Sequence, residues 1–151
     1  MEYLDTNVLV RYLTKDDPDL AARAYAVLQE VEQGTRPVFM IEAVLAEVIY
    51  VLSSKKLYNI PRPEIVKRLL PVLMLKDLRI GCKPSDKQVY TDALHLYETT
   101  TLDFPDVLII SHMRREGAQG VISFDTDFDN FPDITRQEPE APLDQEEGRA
   151  A

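Results

Sequence analysis

EYLDTNVLVRYL (2–13) sets a short β-like run directly against an acid, Asp5. A helical run follows, in which Val8, Leu9, Tyr12 and Leu13 recur at helix spacing. The same pattern returns near the other end. GVISF (120–124) reads as a strand, and the acidic turn DTDFDNF (125–131) follows it. Between them, RPVFM (36–40) and LRIGC (78–82) are further strand candidates. Helices are predicted over 16–34, 41–56, 63–75, 85–100 and 105–117. Asp17 is a plausible cap with Pro18 in the first turn, and Gly34 and Gly117 are stops. Pro61 breaks the pattern, Pro71 marks a kink or boundary, and Ser85 or Asp86 is the cap of the fourth of these helices. Strands separated by helices predict an α/β domain with a central parallel sheet and helices on both faces. Ligands of such sheets bind outside the carboxyl ends of the strands. Asp5 and Asp125 sit at two of those ends.

The 151 residues suit one domain, expected over 1–136. The remainder, QEPEAPLDQEEGRAA (137–151), holds five acids, one Arg and two prolines, and is expected to be a disordered or loosely docked acidic tail. The net charge of −9 argues against gripping nucleic acid by bulk positive charge and leaves room for a site made of carboxylates. Cys82 is the single cysteine, which excludes an internal disulfide and a cysteine zinc site. No signal peptide and no run of about 18 apolar residues is present, so a cytoplasmic protein with no membrane association is expected. The five glycines are too scattered for a G-x-G-x-x-G or Walker A loop.

Glu47 lies mid-helix among Ala43, Val44, Tyr50 and Val51, an unusual place for an acid, because a buried carboxylate is costly unless paired or bound to a cation. Asp106 falls in the first turn of the last helix. A divalent ion shared by several carboxylates removes that cost. Mg²⁺ or Mn²⁺, which take oxygen ligands, can activate water and clamp a phosphate. Each acid also has a plainer reading. Asp5 can be a helix N-cap, Asp103 and Asp106 a cap around Pro105, Asp125 and Asp127 turn residues bonding their own backbone, and Glu47 a snorkelling side chain.

Four segments together resemble the PIN-domain nucleases, most closely the VapC-type toxins of toxin–antitoxin pairs. They are LDTNVLVRYL (4–13), AEVIYVL (46–52), DFPDVLI (103–109) and VISFDTDF (121–128). The resemblance implies a PIN-like three-layer α/β/α fold and a metal-dependent endoribonuclease. Asp5, Glu47, Asp106 and Asp125 would be catalytic ligands of Mg²⁺ or Mn²⁺, with Asp127 as an accessory ligand and Asn7, Ser123 and Asp103 in support. It also implies an RNA substrate such as transfer RNA, a homodimer, and a VapB-like antitoxin covering the active-site groove. The sequence departs from the pattern at Val107, where Ala is usual, and at Ser123 and Phe124, where Thr-Arg is usual. Phe124 thereby loses a positive charge. The alternatives are a catalytically idle PIN-like RNA- or protein-binding module, and a PIN nuclease outside toxin–antitoxin systems.

Other signals are weaker. DTDFDN (125–130) lacks the Gly of a calcium loop, having Asn130 there and Arg136 in place of its closing Glu. His95 and His112 have no third imidazole or thiol nearby in sequence. The basic pairs Arg11 and Lys15, Lys55 and Lys56, and Arg114 and Arg115 read either as solvated helix faces or as a rim that admits RNA.

Overall fold

The computed structural model describes residues 1–81 and 87–142. Strand β1 (Glu2–Leu4) runs into α1 (Thr6–Thr14), α2 (Pro18–Gln33) and β2 (Val38–Ile41). Helices α3 (Glu42–Ser53) and α4 (Arg62–Leu73) lead to β3 (Leu78–Gly81). Then α5 (Lys87–Thr99) and α6 (Phe104–Glu116) lead to β4 (Gly120–Ile122), and a 3-10 helix (Thr126–Asn130) leads to β5 (Thr135–Gln137).

The strands form one sheet in the order β3-β2-β1-β4-β5, parallel at every pairing. Tyr3 of β1 stands opposite Phe39 on one side and Val121 on the other. The chain works outward from β1 through β2 to β3, then returns across β1 to β4. The junction of β1 and β4 is therefore the topological switch point, where a crevice opens beyond the strand ends. With its helices the sheet makes the expected three-layer α/β/α PIN-like architecture. Leu4, Val38, Met40, Val121 and Ile122 on the central strands are buried, as a sheet covered on both faces requires.

Local chemistry sets the helix ends. Asp17 accepts a hydrogen bond from the Leu20 amide at 3.1 Å and Pro18 opens α2. Gly34 closes α2 in the left-handed region (φ +79°), and Gly117 closes α6 likewise (φ +68°). α3 stops at Ser53, three residues short of expectation. Ser54 turns extended, and its carbonyl accepts from the Leu57 and Asn59 amides. α4 continues through the exposed Pro71 and ends at Leu73.

Two expectations need correction. The inward face of α3 is Val44, Val48 and Leu52, whereas Tyr50 is 69% exposed; Glu47 therefore borders the core instead of facing an apolar stripe. Strand β5 was not anticipated, and it takes Gln137, the first residue of the expected tail, into the sheet. The next residues are held too. Arg23 Nε donates to the Pro139 carbonyl at 2.6 Å, and its guanidinium pairs with Glu138 at 3.3 Å. Cys82, the caps Ser85 and Asp86, and tail residues 143–151 lie outside the described residues. Among the described residues no helix is long and apolar enough to cross a membrane.

Candidate active site

Asp5 is the residue at which β1 gives way to α1. Its backbone amide still donates to the Ile122 carbonyl at 3.1 Å, so the acid is fixed to the end of β4 as well. Oδ1 accepts from the Thr6 amide at 2.7 Å. Oδ2 accepts from Ser123 Oγ at 2.6 Å and from Asn7 Nδ2 at 3.0 Å. Asp5 is thus the N-cap of α1 and at the same time the centre of a hydrogen-bonded clasp at the strand ends. The clasp extends further. Ser123 Oγ accepts from Asn7 Nδ2 at 3.0 Å and from the Asp125 amide at 2.9 Å, while Asn7 Oδ1 accepts from the Phe124 amide at 3.1 Å. Residues more than 100 positions apart in sequence are thereby locked together by side chains.

Around this clasp lies a cavity of about 330 Å³, whose walls include Asp5, Thr6, Asn7, Glu47, Asp103, Asp106 and Asp125. Glu47 reaches it from α3 and is held by Thr6 Oγ1, which donates to Oε2 at 2.6 Å. Thr6 is a site residue that the sequence reading did not single out, although a hydroxyl beside a leading acid is a usable signal. Asp106 enters from the first turn of α6. Asp103 is the N-cap residue of that helix, but its side chain makes no cap hydrogen bond, so capping does not explain this acid. Asp125 caps the 3-10 helix through the Asp127 amide at 2.9 Å. Asp127 itself is exposed and does not line the cavity. The expected Asp5, Glu47, Asp106 and Asp125 are therefore brought together with Asp103, Asn7 and Ser123 beside them, and Asp127 is left outside.

The electrostatics follow. Burial pushes the Asp5 carboxyl up to about 6, with Ser123 and the Thr6 amide holding it down against Glu47 and Asp125. Asp106 is pushed up to about 8 by burial and by the charges of Asp5, Glu47, Asp125 and Asp103. A carboxyl that holds its proton in the folded state and loses it in the unfolded chain lowers stability as pH rises. His112 is held below the usual imidazole range by burial, so it adds the opposite slope below about pH 6.5. Between pH 6.5 and 8 the Asp106 effect is left. The metal-free protein should lose about 1–2 kcal/mol of stability across that interval. Urea melts at the two pH values in EDTA check this; equal midpoints would show that Asp106 does not feel its neighbours.

The donor set is all oxygen, which suits a hard divalent cation. Three of the roughly four lone-pair directions of Asp5 are taken by hydrogen bonds, leaving one for a ligand. The Asp106 side chain has no hydrogen bond or ion pair among the described residues, so no protein cation offsets its charge. Among the described residues no three acid, imidazole or thiol groups stand close enough to grip an ion. Carboxylates without a counter-ion repel each other, so such spreading is the expected geometry.

At the former Arg position, the Phe124 ring carries the guanidinium of Arg23 at 5.3 Å from its centroid. A neighbour thus returns a cation to that place. Among the basic pairs, Arg11 lines the cavity and binds Asp16 at 2.9 Å, whereas Arg114 pairs with Asp133 at 2.7 Å on another face.

Solved structures with this fold include VapBC2 from Rickettsia felis bound to a DNA fragment from its promoter. It superposes with a TM-score of 0.65 and 22% identity, covering 93% of this chain and 100% of that one. VapC20 from Mycobacterium tuberculosis, a sarcin-ricin loop cleaving toxin, gives 0.57 and 18%, over 86% and 94% of the two chains. FitAcB from Neisseria gonorrhoeae gives 0.58 and 18%, over 92% and 98%. At these identities the likeness is one of fold. No curated protein matches the sequence. The model of the PIN domain matches residues 3–134, a span that holds every acid of the cavity, and this chain accordingly belongs to the PIN-domain family.

Proposed function

We propose that the protein is a metal-dependent endoribonuclease, the toxin of a type II toxin–antitoxin pair, acting in the cytoplasm on RNA such as transfer RNA. The observation that carries this reading is the convergence of Asp5, Glu47, Asp106 and Asp125 on one cavity at the switch point, with no cation among the described residues to balance Asp106. Those four would hold Mg²⁺ or Mn²⁺, with Asp103 close by and Asp127 as an outer contributor. When bound, such an ion polarises a phosphate and lowers the pKa of water. The chain itself does the rest. Ser123, Asn7 and the Thr6 amide fix the direction of the Asp5 oxygens. Thr6 fixes Glu47, and α6 brings Asp106 to the wall, where its carboxyl would give up its proton to hold the ion.

Solved neighbours support the toxin reading, since they include a toxin–antitoxin complex from Klebsiella pneumoniae and a toxin that cleaves the sarcin-ricin loop. Exposed Val66 and Leu70 on α4 and Met74 at its C-cap are spaced to form one apolar stripe, which favours an antitoxin of VapB type or a second copy of the chain as partner.

The assay is direct. The protein is co-purified with any partner encoded beside its gene, freed from it, and incubated with total RNA in Mn²⁺ or in EDTA. Discrete fragments are expected with Mn²⁺ and none with EDTA. Intact RNA in both arms, with no heat of Mn²⁺ binding by calorimetry, would leave the idle module. A nuclease that works but has no encoded partner would place the protein outside toxin–antitoxin systems.

A further inference from the structure

One wall of the carboxylate cavity is not acidic. It is formed by Arg11 of α1 and by the turn between α3 and α4, from which Leu57 and Tyr58 face the cavity. Tyr58 is held in place: its hydroxyl donates to Asp16 Oδ2 at 2.7 Å. The same carboxyl oxygen accepts from Arg11 Nη1 at 2.9 Å, and Thr14 Oγ1 donates to the other oxygen at 3.1 Å. Asp16 therefore fixes an aromatic ring and a guanidinium side by side. Arg11 spends one donor on this contact and keeps others for a ligand. The preceding residues, Lys55 and Lys56, are exposed and make no ion pair among the described residues.

A planar ring and a guanidinium on the wall of an acidic cavity, with two exposed lysines just before Leu57 in the same turn, match one kind of occupant. A polyanion must approach a chain of net charge −9, so cations at the rim are needed to offset the long-range repulsion. A ring beside them offers a face to an unstacked base, which a duplex does not present. We propose that this wall is the strand-holding subsite of the enzyme. Tyr58 stacks a base of single-stranded RNA, Arg11 contacts the phosphate next to it, and Lys55 and Lys56 hold the backbone beyond. The inference rests on the ribonuclease reading above.

Binding without cleavage tests it. Fluorescence anisotropy is read in EDTA with a labelled ten-nucleotide single-stranded RNA of mixed sequence, over a range of salt. Tyr58→Ala should weaken binding by ~10–100-fold, the usual worth of one stacked base. Tyr58→Phe, which keeps the ring and loses the hydroxyl, should stay within about threefold if the face is what binds. Replacing Lys55 and Lys56 together by Ala should reduce the slope of log affinity against log salt by about 1.4. This double variant alters only exposed side chains, so it still decides the matter if Tyr58→Ala fails to fold. The same RNA as a duplex should bind more weakly. Equal affinity of all variants, or of duplex and single strand, overturns the subsite and leaves the nuclease reading intact. A wild-type protein that binds no RNA at low salt in EDTA overturns the subsite, and the nuclease reading is then decided separately by the cleavage assay with Mn²⁺.

Discussion

Asp106→Asn should lower RNA cleavage by about a thousandfold or more while making the metal-free protein more stable. The two effects have one cause. Asp106 is half-buried, unpaired, and surrounded by Asp5, Glu47, Asp125 and Asp103, so its ionisation is unfavourable in the folded chain. The carboxamide keeps the shape and never ionises. At pH 8 the gain should be on the order of 2–4 kcal/mol, discounted for partial exposure. In a domain of this size that raises Tm by about 2–4 °C for each kcal/mol. The loss of stability between pH 6.5 and 8 should vanish in the same variant. Thermal melts at both pH values in EDTA, set beside the RNA assay with Mn²⁺, measure all three. An activity loss accompanied by a lower Tm would mean that Asp106 is structural and that the charge account is wrong.

Phe128→Ala should cost about 3–5 kcal/mol, the usual range for removing a fully buried aromatic ring. Phe128 is the only core side chain of the 3-10 helix and is 0% exposed. Asp125 is the N-cap of that helix, so its anchorage also sets where Asp125 stands. The variant should therefore lose nuclease activity at temperatures where it is still folded, because the site acid is freed before the sheet comes apart. Urea denaturation gives the first quantity, and cleavage at a temperature well below the new Tm gives the second. Phe128→Leu, which refills most of the volume, should recover most of both.

The sheet and its site were legible in the sequence for a simple reason. Asp5 and Asp125 follow short apolar strands, and strands that alternate with helices pair in parallel, which puts both acids on one edge. Glu47 and Asp106 could be placed only by resemblance, because a mid-helix acid and a first-turn acid each have a sufficient structural explanation. Strand β5 was illegible: Thr135, Arg136 and Gln137 are polar and mostly exposed, with no alternation to mark an edge strand. Asp103 looked like a cap and occupies the cap position, yet its side chain does not cap; sequence gives the position and not the rotamer. Tyr58 escaped notice, and Arg11 could be read only as half of a basic pair, because Asp16, which ties the two together, lies on a loop whose course no periodicity reveals.

The position of β1 between β2 and β4 has a consequence during synthesis. β1, the middle strand of the sheet, leaves the ribosome before either of its neighbours, and the strand that completes its cavity is made about 120 residues later. Until Ser123 and Asp125 emerge, Asp5 lacks both its strongest hydrogen bond and its opposite wall. A chain translated only as far as β3 therefore holds an incomplete carboxylate cavity, and on the proposed reading no cleavage is expected before Asp125 has been made.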